Sequence, residues 1–147
     1  MNEHEPIYVS TNILTFNEKN QVLLGKRKNA FASGEYGIPS GHMENGETFT
    51  QAAIREFLEE TGNTIKEDSL KLFSISNYII KEWNRQYITF DFVITVPSDS
   101  IKTMEQDKNE GWKWYDAYNL PSPLHFVAER TINQYKQFLI EKTIIIS

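Results

Sequence analysis

The sequence predicts an α/β domain in which a mixed sheet is covered by helices on both faces. Two observations carry that prediction. β-prone runs stand before and after one helical segment, and a second helical segment closes the order. A chain of 147 residues, 39% hydrophobic and 13% aromatic, also suits one compact domain over residues 1–147 with a single core.

The first run, "IYVSTNILTF", breaks at "NEKN" and resumes as "QVLLGKRK". An Asn-rich polar break between two β-prone runs predicts a hairpin. "YGIPSG" follows as a short strand or loop punctuated by Gly and Pro. From Glu47 to Thr61 the period is helical: Phe49, Ala53 and Phe57 recur every fourth residue with Ala52 beside them. Gly62 then supplies the residue that most easily takes the left-handed turn ending a helix. "LKLFSISNYII" predicts a strand. "QYITFDFVITV" is a clearer one, because Ile88, Phe90, Phe92, Ile94 and Val96 alternate with mostly polar neighbours. "WKWYDA" is a further short strand, and beyond Pro121 and Pro123 a second helix carries Ala128, Ile132, Tyr135 and Leu139 on one stripe. The apolar tail "TIIIS" suits an edge strand, a contact surface or a packed terminus.

Bulk chemistry removes several functions. A net charge of −5 argues against a general grip on nucleic acid backbones, while a small polyanion remains suitable if metal or local cations mediate the contact. The absence of cysteine excludes disulfides, zinc–thiolate sites and thiol nucleophiles. No apolar run is long enough to span a bilayer, and the start "MNEHEPIYVS" lacks a signal-peptide profile, so the expected address is the cytoplasm, with no membrane partner.

The stretch "GHMENGETFTQAAIREFLEETG" carries the chemistry. Glu56, Glu59 and Glu60 stand at i, i+3 and i+4, on one helical face, where like charges repel. An acidic run on a helix is often only a solvated face. Here the apolar residues Phe49, Ala53 and Phe57 hold the neighbouring face against a sheet, so the acids would project from a fixed support. A divalent cation would relieve their repulsion. Oxygen-only ligands select a hard ion, Mg²⁺ first and Mn²⁺ in its place, with open positions for phosphate oxygens. A calcium loop at "MENGET" fails, because the alternating oxygen ligands and closing glutamate are missing.

As a pattern, the segment reads G-x5-E-x7-R-E-U-x-E-E-x-G-U, with U a bulky apolar residue, and it resembles the Nudix box. Gly41, Glu47, Arg55, Glu56, Phe57, Glu59, Glu60 and Gly62 carry the match. Asn63 departs at the last apolar position, with Ile65 close by to serve the packing, and Ser40 stands where many members have glycine. The resemblance implies a Nudix-type α/β/α sandwich and Mg²⁺-dependent hydrolysis of a nucleoside diphosphate linked to another group. It implies Glu56, Glu59 and Glu60 as catalytic metal ligands, with the Gly41 carbonyl joining them. One of the three, or a later loop acid, would serve as base. Arg55 and Glu47 would orient the acids, since an arginine fork holds a carboxylate at two points.

The rest of the pocket follows less directly. Lys26 and Arg27 end the second strand, where either could meet phosphate. Glu110, before "GWKW", resembles the loop acid that several members use as extra ligand or base. Phe31, Tyr78 and Trp112 could stack on a base, although aromatics so placed are often core. His42 and His125 are expected to lack catalytic work.

Subgroup features narrow the substrate. Isopentenyl diphosphate isomerases rely on a cysteine this chain lacks. ADP-ribose pyrophosphatases tend to carry a proline soon after the box, whereas here the next is Pro97. The NADH pyrophosphatase signature is also missing. Tyr78 keeps the dinucleoside polyphosphate hydrolases open. "EGWKWYDAYNLPSPLHF" resembles the small nucleoside triphosphate pyrophosphohydrolases, some of which clear oxidised nucleotides. The expectation is a small-molecule nucleotide as substrate, no nucleic acid polymer as partner, and a monomer or homodimer.

Overall fold

The computed structural model describes residues 5–29 and 31–147; residues 1–4 of the opening stretch lie outside it. The strands in chain order are β1 (Ile7–Phe16), β2 (Gln21–Arg27), β3 (Tyr36–Gly37), β4 (Ser40–His42), β5 (Lys71–Ile80), β6 (Arg85–Thr95), β7 (Asn109–Asp116) and β8 (Ile145–Ile146). Two helices interrupt them: α1 (Phe49–Thr61) after β4 and α2 (Phe126–Glu141) before β8. The sheet runs β3-β2-β1-β6-β5-β8, with β4 also on β1 and β7 on β2.

Strand β1 is the centre of this arrangement. It pairs in parallel with β6 from Ile7 to Phe16, and antiparallel with β4 at Ser10, Thr11 and Asn12. The expected hairpin with β2 shrinks to the single pair Phe16↔Val22. Asn17 makes that turn tight: its carboxamide oxygen accepts from the amides of Lys19 and Gln21, both at 2.9 Å. Beyond it β2 leaves β1 and pairs along its length with β7, which begins three residues before "WKWYDA".

The alternation of β1 separates two cores. Ile13 packs with Ala53, Phe57, Phe92 and Ile94 beneath α1. Its neighbour Leu14 points the other way, with Phe73 and Ala128, beneath α2. The result is the mixed sheet between two helices that the sequence predicts.

Helix α1 starts at Phe49 rather than Glu47, because Thr48 caps it: the Thr48 hydroxyl accepts from the Gln51 amide, and Gln51 returns the bond to the Thr48 amide. Glu47 is thereby left outside the helix with its side chain free to turn back. Gly62 closes the helix at φ 71°, its amide on the Leu58 carbonyl at 2.9 Å. Asn63 donates to Ser100 at 2.9 Å, and Ile65 enters the α1 core as the apolar substitute.

One expectation changes, and two features gain detail. On α2, Leu139 is largely solvent-exposed and Phe138 takes its place against Phe73 and Tyr135, because the buried stripe steps by three there, not four. On β6, the polar neighbours are not solvated, since Thr89 and Asp91 are each 2% exposed. The tail settles as edge strand β8, parallel to β5, with Ile145 buried and Ile146 exposed. Among the described residues no helix is long and apolar enough to cross a membrane.

Phe57 is fully buried between α1 and the sheet. Phe57→Ala should lower unfolding free energy by about 3–5 kcal/mol, read from urea midpoints at unchanged slope.

Candidate active site

The acidic helix meets β4 at Gly41, where any Cβ would displace the Glu56 carboxylate from its present position. A Cβ built on Gly41 would overlap the Glu56 carboxyl carbon and both its oxygens. The carboxylate of Glu56 thus rests directly on the strand backbone. One turn further on, Glu60 accepts the Ser40 amide at 3.0 Å. The serine that departs from the glycine usual there takes part through its backbone alone.

Arg55 ties the corner together. Its Nε and Nη2 fork onto Glu47, the latter at 3.0 Å, and Nη2 also donates to the His42 carbonyl at 2.9 Å. Nη1 donates to Glu56 at 2.9 Å and to Glu59 at 3.4 Å. The hydrogen bond from Arg55 holds the Glu47 carboxyl below the usual carboxylate range. The other acids go the opposite way. Burial pushes the Glu60 carboxyl well up, and the Glu56 and Glu105 charges add to that. Burial also raises Glu56, against the pull of Arg55, with Glu59 and Glu105 adding repulsion. The corner therefore holds more negative charge than its arginine offsets.

That imbalance, with oxygen donors only, fits a hard divalent ion. Glu56 and Glu60, pinned beside Gly41, would hold it. Among the described residues no three acidic or imidazole groups converge on one point. Glu59 instead turns to Arg55, half exposed, so it would have to swing to join them.

The corner opens into a cavity of about 540 Å³. Gly41, Glu56, Glu59, Glu60, Arg27, Phe31, Tyr78 and Trp112 line it, as do both expected bystanders, His42 and His125. Arg55 stands behind the acids rather than in the wall. Two residues fall elsewhere. Lys26 and Glu110 pair with each other at 3.8 Å, both well exposed, because strand alternation turns Arg27 inward and Lys26 outward. The loop acid in the cavity is Glu105, steadied by Lys108 at 3.3 Å. "MEQDKNE" offers three acids at close spacing, and no periodicity marks which one faces inward. Trp112 also braces α1, its indole N–H donating to the Glu60 carbonyl at 3.0 Å.

Aromatic contacts close the outer wall. Phe31 and Trp83, from different loops, meet edge to face at 4.0 Å between centroids, and Phe31 also approaches His125 at 5.9 Å. His125 has a buried Nδ1 without a hydrogen-bond partner. Burial, with the nearby Arg27 charge, lowers its pKa to about 4.

The acids on α1, the glycine beneath them and the locking arginine find their counterpart in known proteins: residues 7–136 match the NUDIX domain. The chain belongs to the NUDIX family. The ADP-ribose pyrophosphatase of Methanocaldococcus jannaschii is 32% identical over 119 residues, 81% of this chain and 68% of that protein. The oxidized purine nucleoside triphosphate hydrolase of Danio rerio is 30% identical over 110 residues, 69% of this chain and 62% of that protein. Of a matching Mus musculus 8-oxo-dGDP phosphatase, the chain spans only 32%. In fold it resembles the MutT NUDIX hydrolase of Burkholderia pseudomallei, with a TM-score of 0.80 at 24% identity, covering 88% of this chain and 98% of that one.

Two outcomes test this NUDIX site. Arg55→Lys keeps the charge but loses the fork, so kcat/KM should fall roughly 10–100-fold with the far-ultraviolet spectrum unchanged. His125 is neutral when folded, so below its unfolded pKa of 6.5 the unfolded chain takes a proton that the folded chain refuses. Its contribution to stability is complete above about pH 6.5 and shrinks as pH falls towards about 4, by about 2 kcal/mol between pH 7 and 5. His125→Gln should remove that part of the acid sensitivity, read as urea midpoints at the two pH values. The raised pKa of Asp91 acts in the opposite direction, and comparison with the parent protein cancels it.

Proposed function

We propose that the chain hydrolyses a phosphoric anhydride in a nucleoside triphosphate, releasing the monophosphate and pyrophosphate, with Mg²⁺ or Mn²⁺ as cofactor. The observation that carries this is the crowding of Glu56, Glu59 and Glu60 beside Gly41 with one arginine between them, at the end of a cavity sized for a nucleotide. The ion would supply Lewis-acid stabilisation of the phosphate oxygens. Glu56, Glu60 and Glu59 would bind it, and Arg55 keeps Glu56 oriented. Arg27 and Lys108, both on the cavity wall, face the remaining phosphate charge. Water adds to phosphorus, the bond to the departing group breaks (pyrophosphate for attack at the α-phosphorus, the nucleoside monophosphate for attack at the β-phosphorus), and the proton of the water passes to a carboxylate. One of the box carboxylates or a loop acid would take that proton. Glu105, not Glu110, is the loop acid within reach of the same volume. Phe31, Tyr78 and Trp112 contribute the aromatic surface for the base.

An oxidised purine as the base is supported by the Danio rerio relative. A nucleoside diphosphate sugar is the second reading, favoured by the ADP-ribose pyrophosphatase relative despite the absent proline. A sensor without turnover is disfavoured by the complete set of box acids.

The test is a panel of nucleoside triphosphates, their 8-oxo forms, ADP-ribose and dinucleoside polyphosphates with Mg²⁺, with the phosphate products identified. Glu59→Gln and Glu60→Gln should each lower kcat by roughly 10²-fold or more while melting remains cooperative. Mg²⁺ should raise the melting midpoint of the parent protein with concentration, and less so in Glu60→Gln. Full activity in both variants would overturn the assignment.

A further inference from the structure

The cavity has a polar floor that the acid corner does not explain. Ser10, Asn12, Tyr87 and Tyr78 line it there, and strand register sets them in three rows across β1, β6 and β5: Asn12–Asp91–Ser74, Ser10–Thr89–Ser76 and Tyr8–Tyr87–Tyr78. The tyrosine row is a run of stacked rings, each step 5.4 Å between centroids. In the first row Asn12 is 2% exposed, yet it lines the cavity. Its Nδ2 donates to Asp91 Oδ1 at 2.7 Å, and Ser74 donates to the other Asp91 oxygen. None of the described residues donates to Asn12 Oδ1. Ser40, across from Asn12 on β4, is the residue whose amide holds Glu60. Asn12 therefore stands one strand away from the acid corner.

The bond from Asn12 Nδ2 to Asp91 sets which way the carboxamide turns, because a carboxamide donates only from its NH₂ end and its oxygen then points the other way. Asp91 thereby leaves the Asn12 carbonyl oxygen as the polar group offered to the cavity. A ligand whose phosphates lie at the acid corner carries its nucleoside across this point. We propose that Asn12 is a specificity-determining residue that accepts a hydrogen bond from an N–H or O–H of the nucleoside, with Asp91 as its positioning residue. This rests on the nucleotide reading above. It predicts discrimination by the presence of a donor, since a ligand lacking one leaves a nearly buried carbonyl unpaired. The donor is either an amino group of the base or a hydroxyl of the sugar.

Matched triphosphates separate those sources: GTP against ITP and ATP against purine riboside triphosphate for the base, and each ribonucleotide against its 2′-deoxy form for the sugar. Both kcat/KM and calorimetric Kd are measured for the parent protein. At least one pair should differ about 10-fold or more in favour of the donor. Asn12→Leu should close that gap by lowering the donor-bearing member at least about 10-fold more than the donor-lacking one, and Asn12→Ser guards against a folding defect. Asp91→Asn should narrow the same gap, as the amide of Asn12 becomes free to turn. A purely structural role would lower both members equally. Turnover with no gap in any pair, or equal losses in Asn12→Leu, overturns the inference and leaves the hydrolase standing. A gap in Kd without turnover upholds the inference and overturns the hydrolase. Neither binding nor turnover of any nucleotide overturns both.

Discussion

Everything at the acid corner depends on one guanidinium. Arg55 reaches Glu47, the His42 carbonyl, Glu56 and Glu59 at once, and no shorter or rounder cation could do so. Its partners come from the loop before α1, from β4 and from the helix itself, so the fork also fixes the distance between helix and strand. Charge-assisted bonds of this kind are roughly twice as strong as neutral ones. They let carboxylates sit where repulsion and burial would otherwise drive them apart. Gly41 is the other half of the device: without a Cβ it lets Glu56 lie on the strand backbone.

The same constraint explains the position of β1. The strand must present Thr11 opposite Gly41 while carrying Ile13 and Leu14 into separate cores. A single residue of slip would exchange the two faces, placing Asn12 under α1 and Ile13 in the cavity. Ten consecutive parallel partners on β6 make such a slip costly. The hydrophobic pattern that stabilises the domain thus also sets which polar groups face the ligand.

The large elements were legible because they depend on local pattern. Phe49, Ala53 and Phe57 gave the helix its period, Gly62 its stop, and β6 its alternation. The acids and arginine could be read together because they share one helix and its flanking loop. What stayed hidden depends on distant pairing. Glu105 and Glu110 are chemically alike and five positions apart, and they part company only in the folded chain, Glu105 beside Lys108 on the cavity wall and Glu110 beside Lys26 outside it. Thr89 and Asp91 look like the solvated face of a strand, yet both are enclosed in the folded chain. Asn12 sits in an unremarkable run, and its role appears only when β6 brings Asp91 alongside.

That buried polar row runs against simple stability. Asp91 is almost wholly enclosed, and burial drives its pKa up against the hydrogen bonds of Ser74 and Asn12. The row continues through Gln134, Ser76 and Ser147, which bond to one another beneath α2. Apolar residues of similar size would in many proteins serve as well or better at such positions. A network retained at that cost fixes orientation, since each member is held by its neighbour and none can rotate alone. One end of it is sealed by the C-terminal strand, and the other is a carbonyl oxygen open to the cavity. Local rules are most often broken where a chain meets its ligand, and in this chain the acid corner and the polar floor break them on adjacent strands of one sheet.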